Sequence, residues 1–290
     1  MLGALEAGGT KMICSTGDEN GKVSSRVSIP TTTPEETIPR IIAFFREANV
    51  EALGIGSFGP VDLDETSSSY GFITTTPKEG WRNYPLRGAL LRALSVPVGF
   101  DTDVNASALG EYTFGAAKGV SSCVYVTVGT GIGGGLIVEG NLVHGLVHPE
   151  LGHFWLRPHP SDPAPHGFCP YHDGCVEGFS TGPAIEKRWG QRAETLPADH
   201  PAWMLESYYL AQMCVTVITC LSPKKIILGG GVMRQTHLFA PIRRQVLEML
   251  AGYVQHPAIL TGIEDYIVPP GLGENSGVTG ALLLAARASA

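Results

Sequence analysis

Residues 2–16 read LGALEAGGTKMICST, and residues 123–138 read CVYVTVGTGIGGGLIV. Each stretch is an apolar run, a glycine-rich turn and a second apolar run. In the first, a strand over Leu2–Glu6 meets Gly8, Gly9 and Thr10, and a return strand follows over Lys11–Thr16. In the second, a strand over Cys123–Val128 meets Gly129, Thr130 and Gly131, and a return strand follows over Gly133–Val138. Short apolar runs bounded by glycine turns read as strands. Taken singly, each unit is also an ordinary hairpin with a glycine turn. Together, each opening one half of the chain, they predict an α/β protein of two similar domains around a cleft.

The surrounding pattern extends both halves. Asp18-Glu19-Asn20-Gly21 is a turn, and Val23–Ile29 completes a meander. Thr33 is placed to cap a helix starting at Pro34, with Glu36 at the capping-box position and Ile38, Ile41, Ile42 and Phe45 as its apolar stripe. Strand Ala52–Ile55 runs into Gly56-Ser57-Phe58-Gly59-Pro60. Helix Leu86–Leu94, strand Val96–Phe100 and helix Asn105–Tyr112 follow. The second half predicts helices at Gly182–Trp189, Ala202–Leu221 and Leu238–Ala251. It also predicts strand Lys225–Leu228, running into Gly229-Gly230-Gly231, a final strand Ile263–Val268 and a closing helix Ser276–Ala288. The expected domains are 1–118 and 119–273, with 274–290 packing back on the first and the irregular loop 153–175 on the second.

Composition excludes several classes. The chain has 290 residues, enough for two domains. Apolar residues are 43% and charged residues 16%, which rules out wholesale disorder. Lys plus Arg is 20 against 27 Asp plus Glu, a formal charge of −7, and no basic run exceeds two residues. A nucleic-acid partner is not expected. No run approaches the roughly 18 apolar residues of a membrane span, and MLGALEAGGTKM lacks a basic leader. Six cysteines make no disulfide framework, so the expected compartment is the cytoplasm.

Three groups of residues carry chemistry. Glycine turns expose backbone N–H groups to anions, and three of them, at Gly8, Gly129 and Gly229, suit a nucleotide with several phosphates. None is a G-x-x-x-x-G-K-[ST] loop. Gly129, Gly131 and Gly134 carry the letters of a dinucleotide motif, but Leu136–Val138 reads as a strand, so the context fails. Asp101-Thr102-Asp103-Val104-Asn105 follows a strand and opens a helix, where α/β proteins place both chemistry and helix caps. Asp103 is the better candidate for a general base, with a cap or turn as its alternative, and Asp101 reads equally as a site residue or as a cap only. Cys169-Pro-Tyr-His172-Asp-Gly-Cys175, with His153 upstream, has the ligand types of a tetrahedral structural zinc site, with free thiols and surface histidines as the alternative. Glu150 and Glu177 flank that cluster and suit recognition of several hydroxyl groups, as in a polyol or sugar; alternatively they are surface or helix-start carboxylates.

With these motifs the chain resembles the sugar kinases of the ROK family (repressors, open reading frames, kinases), and within it the bacterial fructokinases, over nearly its whole length. Glu6–Lys11 resembles the first phosphate motif in its fructokinase form, and Thr127–Gly133 the second. Ser57–Leu63, which includes Gly59, and Thr76–Trp81 resemble substrate-side segments. Asp101–Ala106 with Ala108–Glu111 resembles the catalytic segment, and Gly229, Gly230 and Gly231 the adenosine-side motif. The resemblance implies the actin-like ATPase (ribonuclease H-like) fold and a homodimer. It implies ATP with Mg²⁺ across Gly8, Gly9, Thr10, Lys11, Gly129, Thr130 and Gly131. It implies a sugar held by Gly59, Asn105, Glu150, His153 and Glu177, with Asp103 as the base. A structural Zn²⁺ would sit on His153, Cys169, His172 and Cys175. Whether Lys11 reaches phosphate or points outward, and whether Glu6 holds Mg²⁺ through water, stay open. So do glucose, mannose or an N-acylmannosamine as the sugar. A sugar-responsive regulator is the non-enzymatic alternative; its DNA-binding domain would precede the first phosphate strand, which here begins at Leu2.

Overall fold

Two largely buried strands, β1 (Leu2–Ala7) and β2 (Lys11–Gly17), and the mostly exposed β3 (Val23–Pro30) pair antiparallel as the expected meander. The chain then forms α1 (Pro34–Glu47), β4 (Ala52–Ser57), α2 (Leu86–Leu94), β5 (Val98–Thr102) and α3 (Asp103–Thr113). Strand β4 lies parallel to β1 and β5 parallel to β4. The sheet order is β3-β2-β1-β4-β5. This computed structural model describes every residue from Met1 to Ala290.

The second half repeats the scheme. It forms β6 (Cys123–Val128), β7 (Ile132–Val138), β8 (Asn141–Leu142), α4 (Val176–Ser180), α5 (Gly182–Trp189), α6 (Ala202–Leu221) and β9 (Ile226–Gly229). Then come α7 (Phe239–Leu250), α8 (Pro257–Leu260), α9 (Ile263–Tyr266), β10 (Ile267–Val268) and α10 (Ser276–Ser289). Its sheet runs β8-β7-β6-β9-β10. Each sheet thus places its third, second, first, fourth and fifth strands in the same order, so the two glycine turns open duplicated topologies. The compact units are Met1–Gly119 with Gly135–Pro149 and Gly271–Ala290, and Val120–Gly134 with Glu150–Pro270.

In the first unit, Ile38, Ile41 and Phe45 of α1 are buried against Leu5, Leu53 and Ile55 of the sheet. The Thr33 side chain makes no cap hydrogen bond, so the capping box is not formed. Helix α10 packs on β1, β4, β5 and α3. The approach is close enough to demand glycine: a Cβ on Gly280 would lie 1.6 Å from the Ala106 carbonyl oxygen. Glu111, at the far end of α3 from Asp103, is fully buried. Its Oε1 accepts the Leu272 N–H (2.9 Å) and the Ser276 hydroxyl (2.6 Å), and its Oε2 accepts the N–H groups of Ala116 (2.7 Å) and Gly271 (2.9 Å).

In the second unit, α6 is long and apolar enough to cross a membrane by length and composition alone. Here it packs against α4 and α7, with Glu206, Leu210 and Met213 buried. Below the irregular loop lies a buried ion pair. Arg188 Nε donates to Asp162 Oδ1 at 2.9 Å, and the Tyr209 hydroxyl donates to Asp162 Oδ2 at 2.5 Å.

Two expected elements differ. The final strand over Ile263–Val268 is mostly the helical turn α9, and only Ile267–Val268 is extended. Glu264 and Asp265 lie in its first turn, where acidic side chains favour a helix start, and the N–H groups of Asp265 and Tyr266 both bond the Gly262 carbonyl. Helix α3 starts at Asp103 rather than Asn105, because Thr102 is the cap: its hydroxyl accepts the Asn105 N–H at 3.0 Å.

Glu111→Gln tests the clamp. Each carboxylate oxygen accepts two donors, so either amide rotamer turns an NH₂ group onto two donors. The variant is expected to lose about 2 kcal/mol or more of stability by denaturant titration; a wild-type midpoint would show that the clamp contributes little.

Candidate active site

In the first unit the chemistry gathers where β5 ends and α3 begins. Asp103 is the first residue of α3, half-buried, and its Oδ1 accepts the Val104 N–H at 2.9 Å. Asp101 is not the cap; it is a buried hub, 3% exposed. Its Oδ1 accepts the Thr102 N–H (2.8 Å) and the Asn105 Nδ2 (2.7 Å), and its Oδ2 lies 2.8 Å from His144 Nε2. Asn105 is 1% exposed, and its Oδ1 meets no donor within the protein. Hydrogen bonding to Asp101 raises the His144 pKa. Gly59 precedes Pro60 through a cis bond, and beside it His148 Nε2 accepts the Val61 N–H at 3.1 Å. Burial lowers the His148 pKa, in keeping with a neutral ring that accepts.

Gly8, Gly9, Thr10 and Lys11 form the turn between β1 and β2, closed by the Gly8 N–H on the Lys11 carbonyl at 3.1 Å. Gly9, Thr10 and Lys11 are exposed. Glu6 lies in β1 just before this turn, and burial raises its pKa against the opposing charges of Arg26 and Lys11.

In the second unit, two glycine turns lie side by side. A Cβ on Gly129 would sit 3.9 Å from the Gly231 backbone nitrogen. Gly129 donates to the Gly131 carbonyl at 3.0 Å and its own carbonyl accepts the Gly182 N–H at 2.9 Å; Thr130 is exposed at the tip. Gly229 ends β9, and Gly230 has φ +90°, with space for a Cβ denied by Val128 N and O at 2.5 Å.

The zinc-type residues converge. His153 Nδ1 lies 3.2 Å from His172 Nδ1, 3.9 Å from Cys169 Sγ and 3.8 Å from Cys175 Sγ. Cys169 Sγ lies 3.8 Å from His172 Nδ1, and all four ligand atoms fall within 4.8 Å of one another. A tetrahedron with ligand distances of about 2.0–2.3 Å has edges of roughly 3.3–3.8 Å, so these groups fit one tetrahedral ion. Burial, with Cys169 adjacent, pushes the Cys175 thiol to about 11, an environment that a bound cation would reverse. The other nitrogen of His153, Nε2, lies 3.9 Å from Glu177 Oε1, while Glu177 Oε2 accepts the Ile132 N–H at 3.0 Å. Glu150 reaches the surface, yet desolvation and then the Glu177 charge push its pKa up to about 7. Sequence reasoning passed over His144 and His148. Their only local signal is a spacing of four in a glycine-containing loop.

The model of the ROK family matches residues 2–288. The chain belongs to the ROK family. A protein of Bacillus subtilis (strain 168) is 52% identical over 288 residues, covering 99% of this chain and 96% of that protein. A fructokinase of Pediococcus pentosaceus is 47% identical over 288 residues, covering 99% of this chain and 98% of its own. The structure of a ROK family glucokinase from Streptomyces griseus, in complex with glucose and AMPPNP, superposes with TM-score 0.79 at 27% identity and covers 98% of each chain. With that match, the two same-order sheets are the duplicated core of the actin-like ATPase fold.

The glycine turns of this ROK protein yield a paired test. Gly230→Ala combines positive φ with a backbone clash and is expected to cost about 2 kcal/mol or more. Gly231→Ala meets no atom within 4 Å at a helical backbone conformation and is expected to stay within about 0.5 kcal/mol of wild type. Thermal unfolding of both variants checks the contrast, and equal midpoints would refute it.

Proposed function

We propose that this chain is an ATP-dependent fructokinase, transferring the γ-phosphoryl group of ATP to the 6-hydroxyl of D-fructose to give fructose 6-phosphate and ADP. The observation that carries this is Asp103, a carboxylate on the first residue of α3 at the carboxyl end of parallel strand β5. The fructokinase relative, matched across 99% of the chain, supports the choice of sugar.

In this mechanism Asp103 takes the proton of the 6-hydroxyl as its oxygen forms a bond to Pγ and the bond from Pγ to the bridging oxygen breaks, releasing ADP. The backbone N–H groups of Gly9, Gly131, Gly230 and Gly231, with the Thr10 and Thr130 hydroxyls and Lys11, meet phosphate charge; Gly8, Gly129 and Gly229 hold the three turns in place. Bound Mg²⁺ supplies further neutralisation of the phosphates. Glu150, Glu177 and His153 Nε2 accept from or donate to sugar hydroxyls, with Gly59 and Asn105 as further sugar-binding residues. His153 Nδ1, Cys169, His172 and Cys175 would hold a structural zinc ion, which would leave no open position for chemistry and would fix the His153 ring.

Two measurements test this. A panel of fructose, mannose, glucose and N-acetylmannosamine with Mg²⁺–ATP is expected to show the highest kcat/KM on fructose; preference for another hexose overturns the sugar assignment and leaves phosphoryl transfer standing. Asp103→Asn is expected to fold and bind both substrates while kcat falls by about 10²–10⁴-fold; retained turnover would remove Asp103 as the base. Separately, elemental analysis should find one zinc per chain in the wild type. Cys175→Ser should lose it and unfold at lower temperature, whereas unchanged zinc content would refute the ligand set.

A further inference from the structure

His144 sits in the segment 143–149 that follows β8 in the first unit. Two hydrogen bonds pin this segment. His144 Nε2 lies 2.8 Å from Asp101 Oδ2, and four residues on, His148 Nε2 accepts the Val61 N–H at 3.1 Å. The first pin is two residues from Asp103 and the second is two residues from Gly59. The segment is therefore fastened to both pieces of the first unit that the proposed mechanism brings to the sugar.

The pin also orients the ring. Asp101 Oδ1 already accepts the Thr102 N–H and the Asn105 amide, so its Oδ2 is the oxygen left to His144. An ionised carboxylate only accepts, so Nε2 carries a proton and donates. That fixes the ring by one edge and turns Nδ1 to the other, where no protein group bonds it. The side chain is 45% exposed while the carboxylate holding it is 4% exposed, so the anchored edge is inside and the remainder faces out. Glu65, from the loop after β4, adds a second acidic group near the ring, and His148 is its other titratable neighbour. Three chain segments thus place Asp101, Glu65, His144 and His148 around one point.

We propose that His144 is a further sugar-binding residue, its Nδ1 edge hydrogen-bonding a hexose hydroxyl, with Asp101 as the positioning residue that holds the ring. This rests on the fructokinase function proposed above. A hydroxyl partner on a ring locked by a buried carboxylate discriminates between sugars better than a free side chain, because a hydroxyl pointing elsewhere leaves the nitrogen unpaired.

The test combines kinetics with NMR of ¹⁵N-histidine-labelled protein. His144→Ala is expected to raise the fructose KM about tenfold or more, the loss of one such hydrogen bond, with the ATP KM within about twofold. His144→Gln should recover part of the loss, since its amide can bond both Asp101 and a hydroxyl. In the wild type, fructose should shift the His144 ring resonances saturably, and ADP alone should not; this readout needs no variant to fold. An unchanged fructose KM in His144→Ala, or ring resonances unmoved by fructose, overturns the inference. A parallel rise in both KM values with a lower melting temperature also overturns it, by showing a purely structural pin. If the wild type phosphorylates no sugar of the panel, the proposed function falls and this inference with it; if the wild type is active and only His144→Ala is silent, this inference alone falls.

Discussion

Four hydrogen bonds converge on the carboxylate of Glu111, and the first unit is organised around them. A buried anion with no partner would be costly, and four donors are what make it tolerable. Three are backbone N–H groups and one is the hydroxyl of Ser276, the first residue of α10. The negative charge therefore also lies at a helix N-terminus, where it is favoured. The consequence is mechanical. Residues 271–276 are tied to the C-terminal part of α3, and α10 is led across the sheet so closely that Gly54 and Gly280 have no room for a side chain. With one end of α3 locked this way, Asp103 at the other end is carried by a helix that has little freedom to shift.

The second unit solves a different problem. Residues 154–175 have almost no regular structure and little apolar material to bury. They are held at their ends by the Trp155–Cys175 bridge and the Leu156 N–H on the Gly174 carbonyl. In the middle they are held by Asp162, paired with Arg188 and Tyr209. The Arg188 guanidinium also lies over the Phe168 and Tyr209 rings. Burial pushes nearby Glu206 up to about 8, against the attraction of Arg188. Desolvation offsets most of the attraction within a buried pair of this kind, so its net contribution to stability is small. His153, Cys169, His172 and Cys175 also converge here, their ligand atoms all within 4.8 Å of one another.

Much of this was legible from short-range pattern. Strand β6 and helices α2, α5 and α6 have the bounds expected from their apolar periodicity and glycine punctuation. The convergence of four candidate ligands was legible because Cys169, His172 and Cys175 are spaced three apart and His153 is close upstream. What was hidden depends on partners far apart in the chain. Glu111 meets Gly271 and Ser276, and Asp101 meets His144, with no local repeat to announce either contact. The sequence left Asp101 open between a cap and a chemical role for the same reason: Thr102 supplies the cap, which leaves the Asp101 carboxylate for side chains that only the fold brings near. The run at 263–268 misled because apolar letters alone do not distinguish a single helical turn from a short strand.

The central claim is chemical: phosphoryl transfer to one particular hydroxyl of one ketohexose. Its most direct measurement is ³¹P NMR of a reaction containing the protein, Mg²⁺–ATP and fructose, followed to completion. The expected spectrum shows ADP and a phosphomonoester formed one for one, with the ester phosphorus coupled to the C6 protons. Growth of inorganic phosphate without an ester, or an ester coupled to the C1 protons, would contradict it.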